Sequence, residues 1–303
     1  MGGLVILQQM GVIFILVAIG YFLQKGGVLT SETCQKMSFV VVNVTNPCLI
    51  LTSVLTSDLS VSRHDFLLAL LVSVVFYAAL ALLGWLFPKT MRFPADEQKY
   101  YSMMIVYTNV GFMGIPIASA ILPQEAMVYV VLCNVAFFFF FYTHGVSLLG
   151  GKGSFNWKKY LSPGILCSLL TIVLFWFDLR LPALIERSVT HLGNANVFLS
   201  MALLGASLAH ADIRRSLSKS AVWLYSGFRL LIIPIALFYI LRAAGLPMEM
   251  VYAFSLMAMM PAGNLPLIQA EADGLPTGTL SEGIVVSTVL SFFTITLLMS
   301  ILF

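Results

Sequence analysis

Charge is scarce in this chain. Of its 303 residues, 16 are Lys or Arg and 13 are Asp or Glu, 10% in all, where a soluble domain carries roughly a quarter. With 60% hydrophobic residues the chain cannot cover its outside with polar groups, which excludes a water-soluble globule. Cysteine is sparse too: Cys34, Cys48, Cys133 and Cys167 stand apart in apolar surroundings, without the CxxC or Cys/His spacing that holds zinc. They read as small buried hydrophobes, and neither a metal nor a cofactor is expected. Also missing are an HExxH pair, a GxSxG elbow and an Asp-rich diphosphate motif, so nothing points to an intramembrane enzyme. The net charge of +3 does not form a basic patch, and no nucleic-acid partner is expected.

What the chain has in abundance is apolar runs near the ~20 residues that a helix needs to cross hydrocarbon. Ten spans are expected near 4–23, 37–55, 66–87, 99–122, 126–149, 161–177, 191–209, 221–241, 249–270 and 284–302. The first has no basic residue before it and no small-residue cleavage site after it, and reads as a retained helix. The loops that lie inside when the N-terminus is outside hold Lys25, Lys36, Lys89, Arg92, Lys99, Lys152, Lys158, Lys159, Arg214, Arg215 and Lys219. The outer loops hold only Arg63, Arg180, Arg187 and Arg242. By the positive-inside rule both termini face out of a cell (inner) membrane crossed many times.

The polar loop at 151–160 separates residues 1–150 from 161–303, with five spans in each half. Five is odd, so a repeat between the halves has to be inverted across the membrane, a transporter signature. A shift of 150 residues lays Asn46 over Asn196 and Pro116 over Pro266. The fourth span, YYSMMIVYTNVGFMGIPIASAIL, carries Asn109, Gly111, Gly114 and Pro116 near its centre. The ninth, VYAFSLMAMMPAGNLPLIQAEADG, carries Pro261, Gly263, Asn264 and Pro266 at the matching depth. Proline removes an amide donor and glycine loosens the backbone, so each cluster either kinks its helix or unwinds part of a turn. If both unwind, the second halves start near Ile117 and Leu267 and aim two electropositive N-termini at one point, where a carboxylate is stabilised without a buried lysine. Asn109 and Asn264 add side-chain donors.

Other polar residues lie within spans. Arg229 falls about eight residues, or roughly 12 Å, into the eighth span. It either snorkels to the inner interface, attracts an anion into an inner vestibule, or pins a moving bundle. Asn46 in the second span and Asn134 in the fifth bond either a substrate or a neighbouring helix. His144 reads as a packing residue. Glu271 and Gln269, after the ninth-span interruption, are the candidates for ion coupling, with an interface turn as the plainer reading. The substrate-lining set is therefore Asn46, Asn109, Gly111, Asn134, Arg229, Gly263 and Asn264, around prolines 116, 261 and 266.

TNVGFMGIP in the fourth span, MPAGNLPLIQAEADG in the ninth and VVSTVLSFFTITLL after it, with NPCLIL, CNVAFFFFFYTHGVSLL, LGNANVFLSMALLGASLA and FRLLIIPIAL, resemble the auxin efflux carrier family over essentially the whole chain. The resemblance implies an all-α membrane fold of ten transmembrane helices in a five-plus-five inverted repeat, similar to bile-acid and sodium–proton carriers. The fourth and ninth helices would cross at their breaks. Helices three to five and eight to ten would move against a scaffold of one, two, six and seven, which would also join a homodimer. It implies elevator-type transport of a small organic carboxylate, with Asn109, Pro116, Pro261 and Asn264 at the crossing. An ion-coupled symporter of a larger amphipathic anion is the alternative, with a receptor or channel behind it. The long central loop of plant exporters is missing, as in short bacterial permeases; Val197 stands where a proline is expected, and Pro266 is an additional one.

Overall fold

The computed structural model describes residues 3–55, 61–150, 163–177, 179–210 and 218–303. The central loop at 151–160 and the inner-loop Arg214 and Arg215 lie outside the described residues. The described chain is helical almost throughout: α1 (Gly3–Lys25), α2 (31–55), α3 (Arg63–Thr90), α4 (Gln98–Val106), α5 (110–121), α6 (Gln124–Leu148), α7 (Pro163–Trp176), α8 (Ala183–His210), α9 (Ser220–Ala243), α10 (Met248–Met259), α11 (Leu265–Ala272) and α12 (Gly278–Leu302). Five of these, α3, α6, α8, α9 and α12, are long and apolar enough to cross a bilayer without interruption. Their outward faces are apolar: Phe22, Leu71, Phe139 and Phe293 are all more than half exposed. Hydrocarbon, not water, is the solvent such a surface suits.

Two groups of helices pack internally. α1 lies on α8, and α8 and α7 lie on α2. Close approach between α1 and α8 depends on small residues: a Cβ on Gly20 would collide with the Ala202 backbone, and one on Gly205 with the Val17 carbonyl. Backbone contact of this kind is how helices associate in lipid, where no hydrophobic drive separates them from the acyl chains. In the second group α3 packs on α4 and α6, α9 on α10 and α12, and α10 on α6. Lys219 at the start of α9 ties this group at one end, 2.7 Å from Glu282 of α12 and 3.9 Å from Glu97 ahead of α4.

Four helices among the described residues contain a widened π-turn, at Val41–Thr45, Val110–Gly114, Phe141–Gly145 and Phe228–Ile232. Three of these turns end two residues before a proline, namely Pro47, Pro116 and Pro234. The physical reason lies in the proline ring, which cannot donate to the carbonyl four residues back and clashes with it. That carbonyl, of Asn43, Phe112 or Leu230, sits in the middle of each widened turn, and the i→i−5 bond absorbs the misfit without breaking the helix.

The observed helices follow the expected spans with two early starts and two divisions. α2 starts six residues before the second span and α8 eight before the seventh, because their polar first turns are invisible to an apolar-block reading. The fourth and ninth spans are each divided. In the fourth, the interruption falls at residues 107–109, so the second half starts at Val110 and not near Ile117. In the ninth it falls at 260–264, and the second half starts at Leu265 rather than near Leu267.

Candidate functional site

The two interruptions meet. Thr108 and Ala262 form an antiparallel bridge, in which the Asn109 amide donates to the Pro261 carbonyl at 2.8 Å and the Gly263 amide to the Tyr107 carbonyl at 3.0 Å. The Ala262 amide donates to Ser287 Oγ of α12 at 3.2 Å. Unwound backbone inside a bilayer is tolerable only when its polar groups find partners within the protein, and here each broken helix supplies them to the other. Gly263 is needed because the chains cross so closely: a Cβ there would lie 2.7 Å from the Thr108 carbonyl oxygen.

Tyr107 anchors the crossing from one side. Its hydroxyl lies 2.9 Å from the Phe140 carbonyl and 2.8 Å from His144 Nδ1, both on α6. A single O–H cannot donate twice, so a hydroxyl that donates to the carbonyl requires the ring nitrogen to carry the proton toward it. The fit is close, since a Cβ on Gly145 would approach the Tyr107 ring to 2.8 Å. The sequence singled out neither Tyr107 nor its link to His144.

Beside the crossing is a cavity of about 260 Å³. Asn46, Asn109, Gly111, Gly263 and Asn264 all line it, together with Thr108. The side-chain amides of Asn109 and Asn264 have no partner among the described residues. Asn46 approaches from α2, its Nδ2 3.7 Å from where a Cβ on Gly111 would stand. The first turn of α5, around Gly111 and Phe112, and that of α11, after Asn264, leave amides with no intrahelical acceptor at this wall. The lining is also aromatic, with Phe137, Phe138 and Tyr142 of α6 and Phe112 of α5. A second cavity, of about 380 Å³, shares Asn109, Phe112 and Asn264 and extends past Ser31, Cys34 and Ser38 of α2 and Ser207 of α8. A larger space of about 670 Å³ between α3 and α9 is a groove lined by residues such as Leu86, Phe87, Trp223 and Ile232. Having no convergent polar groups, it lacks what orients a ligand.

The structure places the remaining candidates elsewhere. Pro261 lies in the crossing, whereas Pro116 lies inside α5 beyond its widened first turn and Pro266 is the second residue of α11. Asn134 is buried in α6 with both amide atoms unpartnered among the described residues, away from the cavity lining. Arg229 is wholly buried, and its Nη1 donates to the Ala258 carbonyl at the end of α10. Asn196 accepts from Thr45 at 2.8 Å and so links α8 to α2. Gln269 donates to Asp273 at 2.9 Å; the Glu271 side chain lies outside the described residues.

Comparison with known proteins agrees with this architecture. The chain is 29% identical to an uncharacterized transporter of Methanothermobacter thermautotrophicus, over 94% of each chain. It is 26% identical to an uncharacterized transporter of Methanocaldococcus jannaschii, over 94% of this chain and 95% of the relative. A family model described as membrane transport protein matches twice, at residues 5–154 and 152–299. With nearly its whole length matched, the chain is a multi-helix membrane protein of the membrane transport protein family, to which the auxin efflux carriers belong.

Proposed function

We propose that this protein is a carrier for a small organic carboxylate, binding it at the crossing of its two broken helices and moving it by alternating access. The observation that carries the reading is the convergence on one cavity of two half-helix N-termini with the unpartnered amides of Asn109 and Asn264. Helix N-termini and neutral amides suit an anion that must be released again on the other side. The fold behind the reading is ten spans in a five-plus-five inverted repeat. α1, α2, α7 and α8 form the scaffold, also the surface of a homodimer, and α3–α6 with α9–α12 form the part that moves as an elevator. Asn46 then meets the substrate from the scaffold side. Under the positive-inside orientation both termini face outward, and the second cavity, running toward Lys36 and the end of α8, opens the site to the cytoplasm.

The aromatic lining formed by Phe112, Phe137, Phe138 and Tyr142 favours a carboxylate borne on an apolar or ring-shaped body over a compact dicarboxylate. An amphipathic anion is thus the second reading of substrate class. The test is counterflow of labelled mono- and dicarboxylates, benzoate and malonate among them, into liposomes holding the purified protein. Saturable flux stimulated by acid on the far side is expected. Asn109→Ala and Asn264→Ala should each lower it by roughly ten- to a hundredfold, as loss of a hydrogen bond to a charged group implies. Normal flux in both variants would show that the substrate binds elsewhere.

A further inference from the structure

Four helix ends meet at the crossing, and only two of them favour an anion. The N-termini of α5 and α11 are electropositive, but α4 and α10 end there with carbonyls, each end carrying about half a negative charge. Taken alone, the four nearly cancel. Two side chains of α9, one turn apart, change that balance. Tyr225 donates its hydroxyl to the Met104 carbonyl in the last turn of α4 at 3.2 Å, and Arg229 donates to the Ala258 carbonyl in the last turn of α10. Both side chains are fully buried, and Arg229 Nε and Nη2 have no partner among the described residues. No carboxylate among the described residues is paired with its guanidinium. A guanidinium keeps its charge even when buried, so among the described residues this positive charge is met by the dipole of the Ala258 carbonyl.

We infer that α9 is a clamp that quenches the carbonyl ends of both broken helices, and that Arg229 is the resident counter-charge making the crossing anion-selective. The inference rests on the carboxylate reading above. Arg229 is a positioning residue: it reaches the anion through the α10 terminus and the field, not by contact, since it does not line the cavity. Half-helix carbonyl ends are where broken-helix carriers ordinarily hold a coupling cation. Here one carbonyl at each end is already taken by a donor from α9.

The test compares Arg229→Lys, which keeps the charge, with Arg229→Met, which keeps much of the bulk, both in the full chain. In benzoate counterflow, Arg229→Met should raise KM by roughly tenfold with a smaller change in maximal rate, and Arg229→Lys should stay within about threefold of the parent. A side chain that only fills space predicts equal behaviour of the two, and that result would overturn the inference. A second measurement needs no substrate. Hydrogen exchange in the peptide 255–265 of the detergent-solubilised protein should be roughly tenfold faster in Arg229→Met and near normal in Arg229→Lys. Unchanged exchange in Arg229→Met overturns the clamp. Should the parent move none of the carboxylates offered, the carrier reading fails by itself and the exchange result still decides the clamp.

Discussion

Single atoms decide whether the two broken helices can cross. A methyl group on Gly263 would stand 2.7 Å from the Thr108 carbonyl oxygen and 3.3 Å from the Asn109 amide nitrogen, and both belong to backbone that cannot swing aside. Gly263→Ala should therefore cost about 1–3 kcal/mol and abolish transport, whereas Gly278→Ala, with open space around it, should melt like the parent; thermal melting in detergent distinguishes them. Tyr107→Phe removes the hydroxyl that serves the Phe140 carbonyl and His144. The Phe140 carbonyl keeps the Thr143 hydroxyl at 3.4 Å, but His144 Nδ1 loses its partner, which predicts a loss of about 1 kcal/mol in the same measurement. Asparagine, glycine and proline are rare together in an apolar helix, which is why Asn109, Gly111, Gly263 and Asn264 stand out in the sequence, and all four line one cavity. The sequence hid Tyr107 and the carbonyl partner of Arg229. Their significance lies in contacts 33 and 29 residues away along the chain, which no local pattern encodes.

Among the elements, proline acts upstream of itself. Each of Pro47, Pro116 and Pro234 follows a widened turn centred on the carbonyl it cannot satisfy. In the fourth span the misfit of Pro116 is absorbed at Val110–Gly114, and the interruption at 107–109 lies further upstream, where the chain bridges to Ala262. Reading the break at the proline itself put the start of the second half about two turns too late. The same logic yields a prediction for α9, where the π-turn Phe228–Ile232 sets how Arg229 and Tyr225 face the two carbonyl ends. Pro234→Ala restores an ordinary helical hydrogen bond and should raise the melting temperature. By rotating the clamp it should also lower counterflow by about tenfold, the scale on which small misplacements act. A rise in both stability and flux would show that the bulge has no part in function.

Across the whole molecule, the two packed groups touch where α12 lies on α1 and α6 on α7, while the polar crossing belongs to the second group and opens beside the wider cavity, of about 380 Å³. Cys34 is half-buried on the wall of that cavity, while Cys133 is buried in α6. In oriented vesicles a membrane-impermeant maleimide should label Cys34 from the cytoplasmic side only, and a transported acid should slow the reaction. Labelling from the outside would reverse the orientation. The central claim, that an anion is held where the two half-helices begin, is tested most directly by a density map of the protein with an iodinated aromatic carboxylate bound. The account predicts carboxylate density within hydrogen-bond reach of Asn109, Asn264 and the first-turn amides of α5 and α11, with the iodine against Phe112 and Phe138. Carboxylate density paired directly with Arg229, or lodged in the apolar groove between α3 and α9, would contradict it.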